Sequence, residues 1–286
     1  MKKKEIKPAQ DRLDAIEKIK EYEKIGGDAF FNDVEQDPPS RTIMPDEVDY
    51  LNRKFSSKFK AFFALLIEKL AKRKIKKMYQ MEFEGVENIK DLDSGAVITS
   101  NHFSMLENVA IKFVSEKFKG RHKYYRVIRE GNYFFPGIVG FLLKNCRTLP
   151  LSSNTHTMLK LDKAIKEILE KKGHVLIYPE QSMWWYYPKP RNYRIGAFHY
   201  AAKNKAPVVP CFVTFSKTDK IAKNGFPYIK YTVHIMKPIF PDPDKTVHDN
   251  ALMMQEENYR LCKEKYEEVY KIPLEYGNYD PEQIYR

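Results

Sequence analysis

The chain has 286 residues, 43% of them hydrophobic, with a net charge of +12 and a pI near 9.3. That length and apolar content suffice for one full-sized core with appendages, and the positive balance calls for an anionic partner: nucleic acid, a lipid surface or a phosphorylated substrate. Cys146, Cys211 and Cys262 lie far apart with no ligand-like spacing, which argues against a disulfide framework and for a reducing compartment.

Residues 1–50 are charged, carry Pro38, Pro39 and Pro45, and offer one helix over 8–24 that Gly26-Gly27 ends. They read as an extension that wraps the body or frays from it. The start Met1-Lys2-Lys3-Lys4 is basic, but no apolar segment of a secretory signal follows.

A second unit spans 51–80. Phe55, Phe59, Phe62, Phe63, Leu66, Ile67 and Leu70 fall on one helical face, and ten Lys or Arg between Arg53 and Lys77 stand against one acid, Glu68. An apolar stripe under a cationic face is the make-up of a helix lying in the plane of an anionic bilayer. A helix packed on its own domain is the ordinary alternative, although such helices usually mix the signs of their charges. A nucleic-acid arm is a third, but phenylalanine at every turn suits lipid better than phosphate. The longest apolar run, 61–67, is far short of the ~20 residues that a transmembrane helix needs, so the expectation is peripheral attachment without a span.

From 81 to 286 strands alternate with helices. Strands are expected at 82–85, 96–99, 124–128, 146–151, 174–178, 208–215 and 228–236, an amphipathic helix through Met158, Leu161, Ile165 and Ile168, and a closing helix over 250–270. The pattern predicts an α/β domain whose central sheet is largely parallel and flanked by helices.

Between the second expected strand and its helix lies Ser100-Asn101-His102-Phe103-Ser104-Met105-Leu106-Glu107. The end of a parallel strand is where open α/β sheets hold ligands. Ser104-x-x-Glu107 is also a capping box, in which Glu107 does no more than start a helix. A carboxylate has acceptor sites enough for both a backbone N–H and an imidazole, so both readings stand. Three further features follow in order: Asn145-Cys146-Arg147, then Tyr178-Pro179-Glu180-Gln181-Ser182 at a strand end, then Val209-Pro210.

Four such blocks in this order resemble the glycerophospholipid acyltransferase family, which includes lysophosphatidate acyltransferase. Its Asn-His block with an acid five residues on is similar to Asn101-His102 and Glu107, and its arginine block to Asn145-Cys146-Arg147. Its Phe-Pro-Glu-Gly-Thr block is similar to 178–182, and Arg194-Ile195-Gly196-Ala197 resembles its Lys-x-Gly-Ala segment. The resemblance spans about 82–240 and implies a glycerol-3-phosphate acyltransferase-like α/β fold. Three positions depart from the family pattern: Glu107 stands where an aspartate is usual, Gln181 where glycine is, and Met183 where many members carry arginine. Lys189, Arg191 and Arg194 are the downstream cations that can stand in for that arginine.

The resemblance implies direct transfer of a fatty acyl group from a thioester, of coenzyme A or acyl-carrier protein, to a lysophospholipid hydroxyl, most naturally that of 1-acylglycerol-3-phosphate. His102 is then the general base, since an imidazole titrating near about 6.5 suits proton removal at neutral pH. Glu107 orients it. Backbone N–H groups at the following helix start receive the oxyanion, Arg147 clamps phosphate, and Glu180, Gln181 and Ser182 meet the acceptor. No cofactor is required. The implied partners are an anionic membrane surface, the lysophospholipid and the acyl thioester, without nucleic acid, at the cytoplasmic face of the cell membrane. A non-catalytic membrane-surface protein of the same fold is the alternative. A metal-dependent hydrolase using His102 and Glu107 is a weaker one, because no HExxH motif or Cys-His cluster supplies further ligands. Two greasy stretches, 133–143 and Met183-Trp184-Trp185-Tyr186-Tyr187, read equally as lipid contacts or as core.

Overall fold

In the computed structural model, which describes residues 7–35, 40–120 and 122–281, seven strands form one sheet in the order β1-β7-β6-β2-β5-β3-β4. The strands are β1 (Glu82–Glu84), β2 (Ala96–Thr99), β3 (Tyr124–Ile128), β4 (Thr148–Pro150), β5 (His174–Ile177), β6 (Val208–Ile221) and β7 (Pro227–Ile235). Every neighbouring pair is parallel except β6 with β7. The expected largely parallel α/β sheet is therefore what the chain forms. Met1-Lys2-Lys3-Lys4, Pro38, Pro39 and 282–286 lie outside the described residues.

The central strands are apolar without alternation because both faces are covered. In β2, Ala96 and Ile98 join one core and Val97 the other. Helices α1 (Gln10–Ile25) and α3 (Glu107–Ser115) lie over the first core, α5 (Thr155–Glu170), α6 (Gly196–Lys203) and α7 (Val247–Tyr270) over the second. Gly95 permits the close entry of β2: a Cβ there would fall 2.2 Å from the Leu169 carbonyl oxygen. At the end of α5 the left-handed residue is Lys172, φ 58°, while Gly173 donates its N–H to Ile168 in the closing turn.

The N-terminal extension wraps. Ala15, Ile16 and Ile19 of α1 enter the first core together with Phe30 and Val34. Helix α2 (Phe55–Met78) is unusual in what it hides. It buries Ala61, Ala64 and Glu68, and leaves Phe55, Phe59, Phe62, Phe63, Leu66, Ile67 and Leu70 exposed. The stretch 137–145 forms α4 (Gly137–Asn145), with Ile138 and Val139 exposed. Trp184, Trp185, Tyr186 and Tyr187 are all buried, so this segment is core. Among the described residues no helix is long and apolar enough to cross a membrane.

Candidate active site

His102 sits just past the C-terminal end of β2, on a loop fixed from several directions. The Asn101 side chain takes the place of one more strand residue: its Oδ1 accepts the Val213 N–H at 2.8 Å and its Nδ2 donates to the Val213 carbonyl at 3.0 Å. The His102 N–H donates to Glu180 Oε2 at 3.1 Å, and its carbonyl accepts the Trp184 N–H at 3.0 Å. One residue on, the Phe103 carbonyl accepts the Tyr186 N–H at 3.0 Å. The buried aromatic segment is thus the clamp on the histidine loop.

The imidazole Nδ1 is hydrogen-bonded to Oε1 of Glu107, whose side chain is fully buried. That bond leaves Nε2 as the nitrogen available to substrate. Glu107 opens α3 but does not close a capping box. The residue before the helix is Leu106, no side chain caps it, and Ser104 Oγ instead accepts the Leu106 N–H at 3.2 Å. The Tyr178 ring stacks on the imidazole, centroids 3.9 Å apart and planes 11° off parallel.

His102 faces a cavity of about 620 Å³. Val127, Leu143, Leu151, Met158 and Ile177 give it apolar walls, while Arg126, Arg129 and Arg194 bring cations. Each arginine meets an acid: Arg126 donates to Glu68 Oε1 at 3.0 Å, Arg129 to Asp33 at 2.6 Å and Arg194 to Asp28 at 3.1 Å. Asp33 and Glu35 of the N-terminal extension also line the cavity. Burial pushes the Glu68 carboxyl up, but Arg126 and Lys112 outweigh it and hold the group below the usual carboxylate range.

Of the residues singled out in the sequence, His102, Gln181 and Ser182 line this cavity, and Glu107 lies behind His102. Gln181 is exposed in a left-handed conformation, φ 62°. Two expectations need correction. Glu180 is buried and faces away from the cavity, because Arg191 takes it: the guanidinium donates to Oε2 from Nε at 3.2 Å and Nη2 at 2.9 Å, and the Arg191 N–H reaches Oε1 at 3.1 Å. With the His102 N–H on Oε2 as well, the carboxylate braces the site instead of meeting an acceptor.

Arg147 is not brought to the cavity at all. It precedes β4, which runs parallel to β3 with Ile128 opposite Pro150, so Arg147 sits three residues back from the strand end that faces the site, about 10 Å along the strand. It lies near Tyr125, whose hydroxyl burial lifts in pKa and the Arg147 charge draws back. The downstream cations divide. Lys189 is buried against Glu23 at 2.6 Å and Arg191 against Glu180, and only Arg194 reaches the cavity. Sequence reasoning passed over Asn101's latch, Tyr178's stacking, and Arg126 and Arg129, of which Asn101 and Tyr178 lay in motifs and the two arginines did not. Among the described residues no three His, Cys, Asp or Glu converge as metal ligands would.

Residues 80–214 match the family model "Acyltransferase". The chain is 26% identical over 208 residues to the chloroplastic 1-acyl-sn-glycerol-3-phosphate acyltransferase BAT2 of Brassica napus, covering 69% of this chain and 55% of that protein. It is 28% identical over 177 residues to the chloroplastic 1-acyl-sn-glycerol-3-phosphate acyltransferase LPAT1 of Arabidopsis thaliana, covering 60% of this chain and 45% of that one. The chain thus spans about half the length of the curated relatives it matches. Among solved structures it is similar to the 1-acyl-sn-glycerophosphate acyltransferase PlsC of Thermotoga maritima, with a TM-score of 0.46, 18% identity, and coverage of 74% of this chain and 88% of that one.

Proposed function

We propose, from the match of residues 80–214 to the acyltransferase family model, that the chain moves a fatty acyl group from an acyl thioester to the free hydroxyl of a lysophospholipid, with 1-acylglycerol-3-phosphate the leading acceptor. The observation that carries this reading is the Nδ1 bond from His102 to a fully buried carboxylate, at the mouth of an apolar cavity. Glu107 fixes the tautomer and steadies the imidazolium, as the acid of a triad does. Nε2 removes the proton of the acceptor hydroxyl as its oxygen attacks the thioester carbonyl. The carbon–sulfur bond then breaks, and the proton passes to the departing thiolate to give free thiol and ester.

The developing oxyanion lies near the first turn of α3, whose preceding Met105 and whose Asn108 border the cavity, at the positive end of a helix dipole. The apolar walls suit an acyl chain. Arg129 and Arg194, the more exposed of the cavity cations, suit the acceptor phosphate, to which a guanidinium presents two donors at once. No resident metal or cofactor enters this scheme.

The outward stripe of α2 extends the reading to location. Seven large apolar side chains turned to solvent beside ten Lys and Arg are the surface of a peripheral protein lying on an anionic bilayer, where its lipid substrates reside. Purified chain with an acyl thioester and a panel of lysolipids, followed by thiol release, tests the activity. His102→Ala should lower turnover about 10²–10⁴-fold with the fold intact. Near-native turnover in that variant refutes the assignment of the base.

A further inference from the structure

Two buried polar atoms at the centre of the proposed site lack a partner. Glu107 gives Oε1 to the imidazole, but Oε2 is enclosed with no hydrogen-bond partner among the described residues. The Tyr178 hydroxyl is in the same condition. The two are neighbours. Burial raises the Tyr178 pKa well above the ordinary tyrosine range, and the Glu107 charge is the next cause, ahead of Tyr124, so the phenol keeps its proton beside a carboxylate with an open acceptor. Leaving half of a buried carboxylate unsatisfied is costly, and a phenol O–H is a donor.

We propose that Tyr178 is a positioning residue for the acyl transfer: its hydroxyl donates to Oε2 of Glu107 while its ring face bears on the His102 imidazole. The stacking, 3.9 Å and 11°, limits the tilt of the ring. The hydroxyl fixes the carboxylate from its other oxygen. A glutamate carries one more rotatable bond than the aspartate that the family resemblance leads one to expect, so its carboxylate needs a second anchor to hold Nδ1 in one geometry. Tyr178 supplies both anchors from one side chain, at the end of β5, next to the strand that delivers His102.

The inference rests on the acyl-transfer reading, and its test separates the two. Tyr178→Phe keeps the stacking ring and removes the hydroxyl; Glu107→Asp draws the carboxylate back by one methylene. Wild type, the two single variants and the double variant are compared by steady-state thiol release and by urea unfolding. Tyr178→Phe should lower kcat about tenfold, in line with the loss of one hydrogen bond to a charged group, with KM for both substrates unchanged. In the Glu107→Asp background it should cost nothing further. An equal kcat loss in both backgrounds, or no loss in either, overturns the proposal. If the wild-type chain turns over no acceptor, the acyl-transfer reading falls and the unfolding cycle decides the contact: non-additive stabilities sustain it, additive ones end it.

Discussion

Replacing Phe55, Phe59 and Phe62 together by serine should strip the chain from anionic vesicles while leaving it folded. The three side chains are 85%, 59% and 63% exposed, so the core loses little. Together they leave in water roughly two phenylalanines' worth of surface, about 400 Å² of apolar area. At ~25 cal/mol per Å² that is ~10 kcal/mol if every atom entered hydrocarbon. A helix in the interface seats only its apolar face at the acyl boundary, and counting half gives ~5 kcal/mol, more than a thousandfold in partitioning. The assay is co-sedimentation with phosphatidylglycerol-containing vesicles at low salt, with urea unfolding as the control for the fold. The lysine- and arginine-rich face adds a second signature: raised salt should release the wild type, by about 1 kcal/mol for each screened cation near the surface. Undiminished binding of the triple variant, or a wild type that stays in the supernatant at low salt, refutes the assignment of this face.

Three further outcomes follow from the site and its supports. Glu180→Gln leaves the fully buried Arg191 without its counter-charge and should cost about 3–5 kcal/mol in chemical denaturation; a loss under about 1 kcal/mol would contradict the bracing role. His174 is buried, and burial and then the nearby His122 lower its pKa to about 3. The unfolded imidazole takes a proton near about 6.5, so from there down to about pH 3 the unfolded state binds the extra proton and stability falls with pH, by up to ~1.4 kcal/mol per unit. Between pH 7 and 5 this group should cost ~2 kcal/mol, a slope that His174→Gln removes; the same slope in the variant refutes it. Arg129→Ala should raise KM for a phosphorylated acceptor about fivefold or more while Arg147→Ala leaves it unchanged, and the reverse result would return the clamp to Arg147.

The parts of the fold that were legible in the sequence are those where chemistry is local. Strand β2 begins and ends where its apolar run does, because both its faces are buried, and β3 keeps the expected bounds around its one charged residue, Arg126. Strand β6 runs on past Phe215 to Ile221 through the polar, mostly exposed run 216–220, paired there with β7, so the apolar signal ends before the hydrogen bonding does. Helix α4 had no signal of its own: Gly137-Ile138-Val139-Gly140-Phe141-Leu142-Leu143 is apolar on every side, which gives length but no period. Motif order brought out His102 and Glu107 because five residues at a strand end suffice to join them. It misjudged Arg147 and Glu180 because order along the chain does not say which end of a strand a residue occupies, or that an arginine eleven positions away would claim a carboxylate.

Helix α2 ties the outer surface to the site. A surface helix ordinarily turns its phenylalanines inward; α2 turns in Ala61, Ala64 and Glu68. Burying a glutamate is unfavourable unless cations meet it, and both that do come from elements beside the candidate site, Lys112 from α3 and Arg126 from β3. Arg126 also donates to Asn108 at 3.1 Å, and both residues line the cavity. The stripe that faces outward is therefore fixed by the same ion cluster that sets one cationic wall of the cavity. Hydrophobic burial alone would roll the helix about its axis to hide its rings, and the loss of the Glu68 pairs opposes that roll. On the membrane reading the outward rings find their apolar environment in lipid, so the packing of α2 and the charge of the cavity wall satisfy one requirement together.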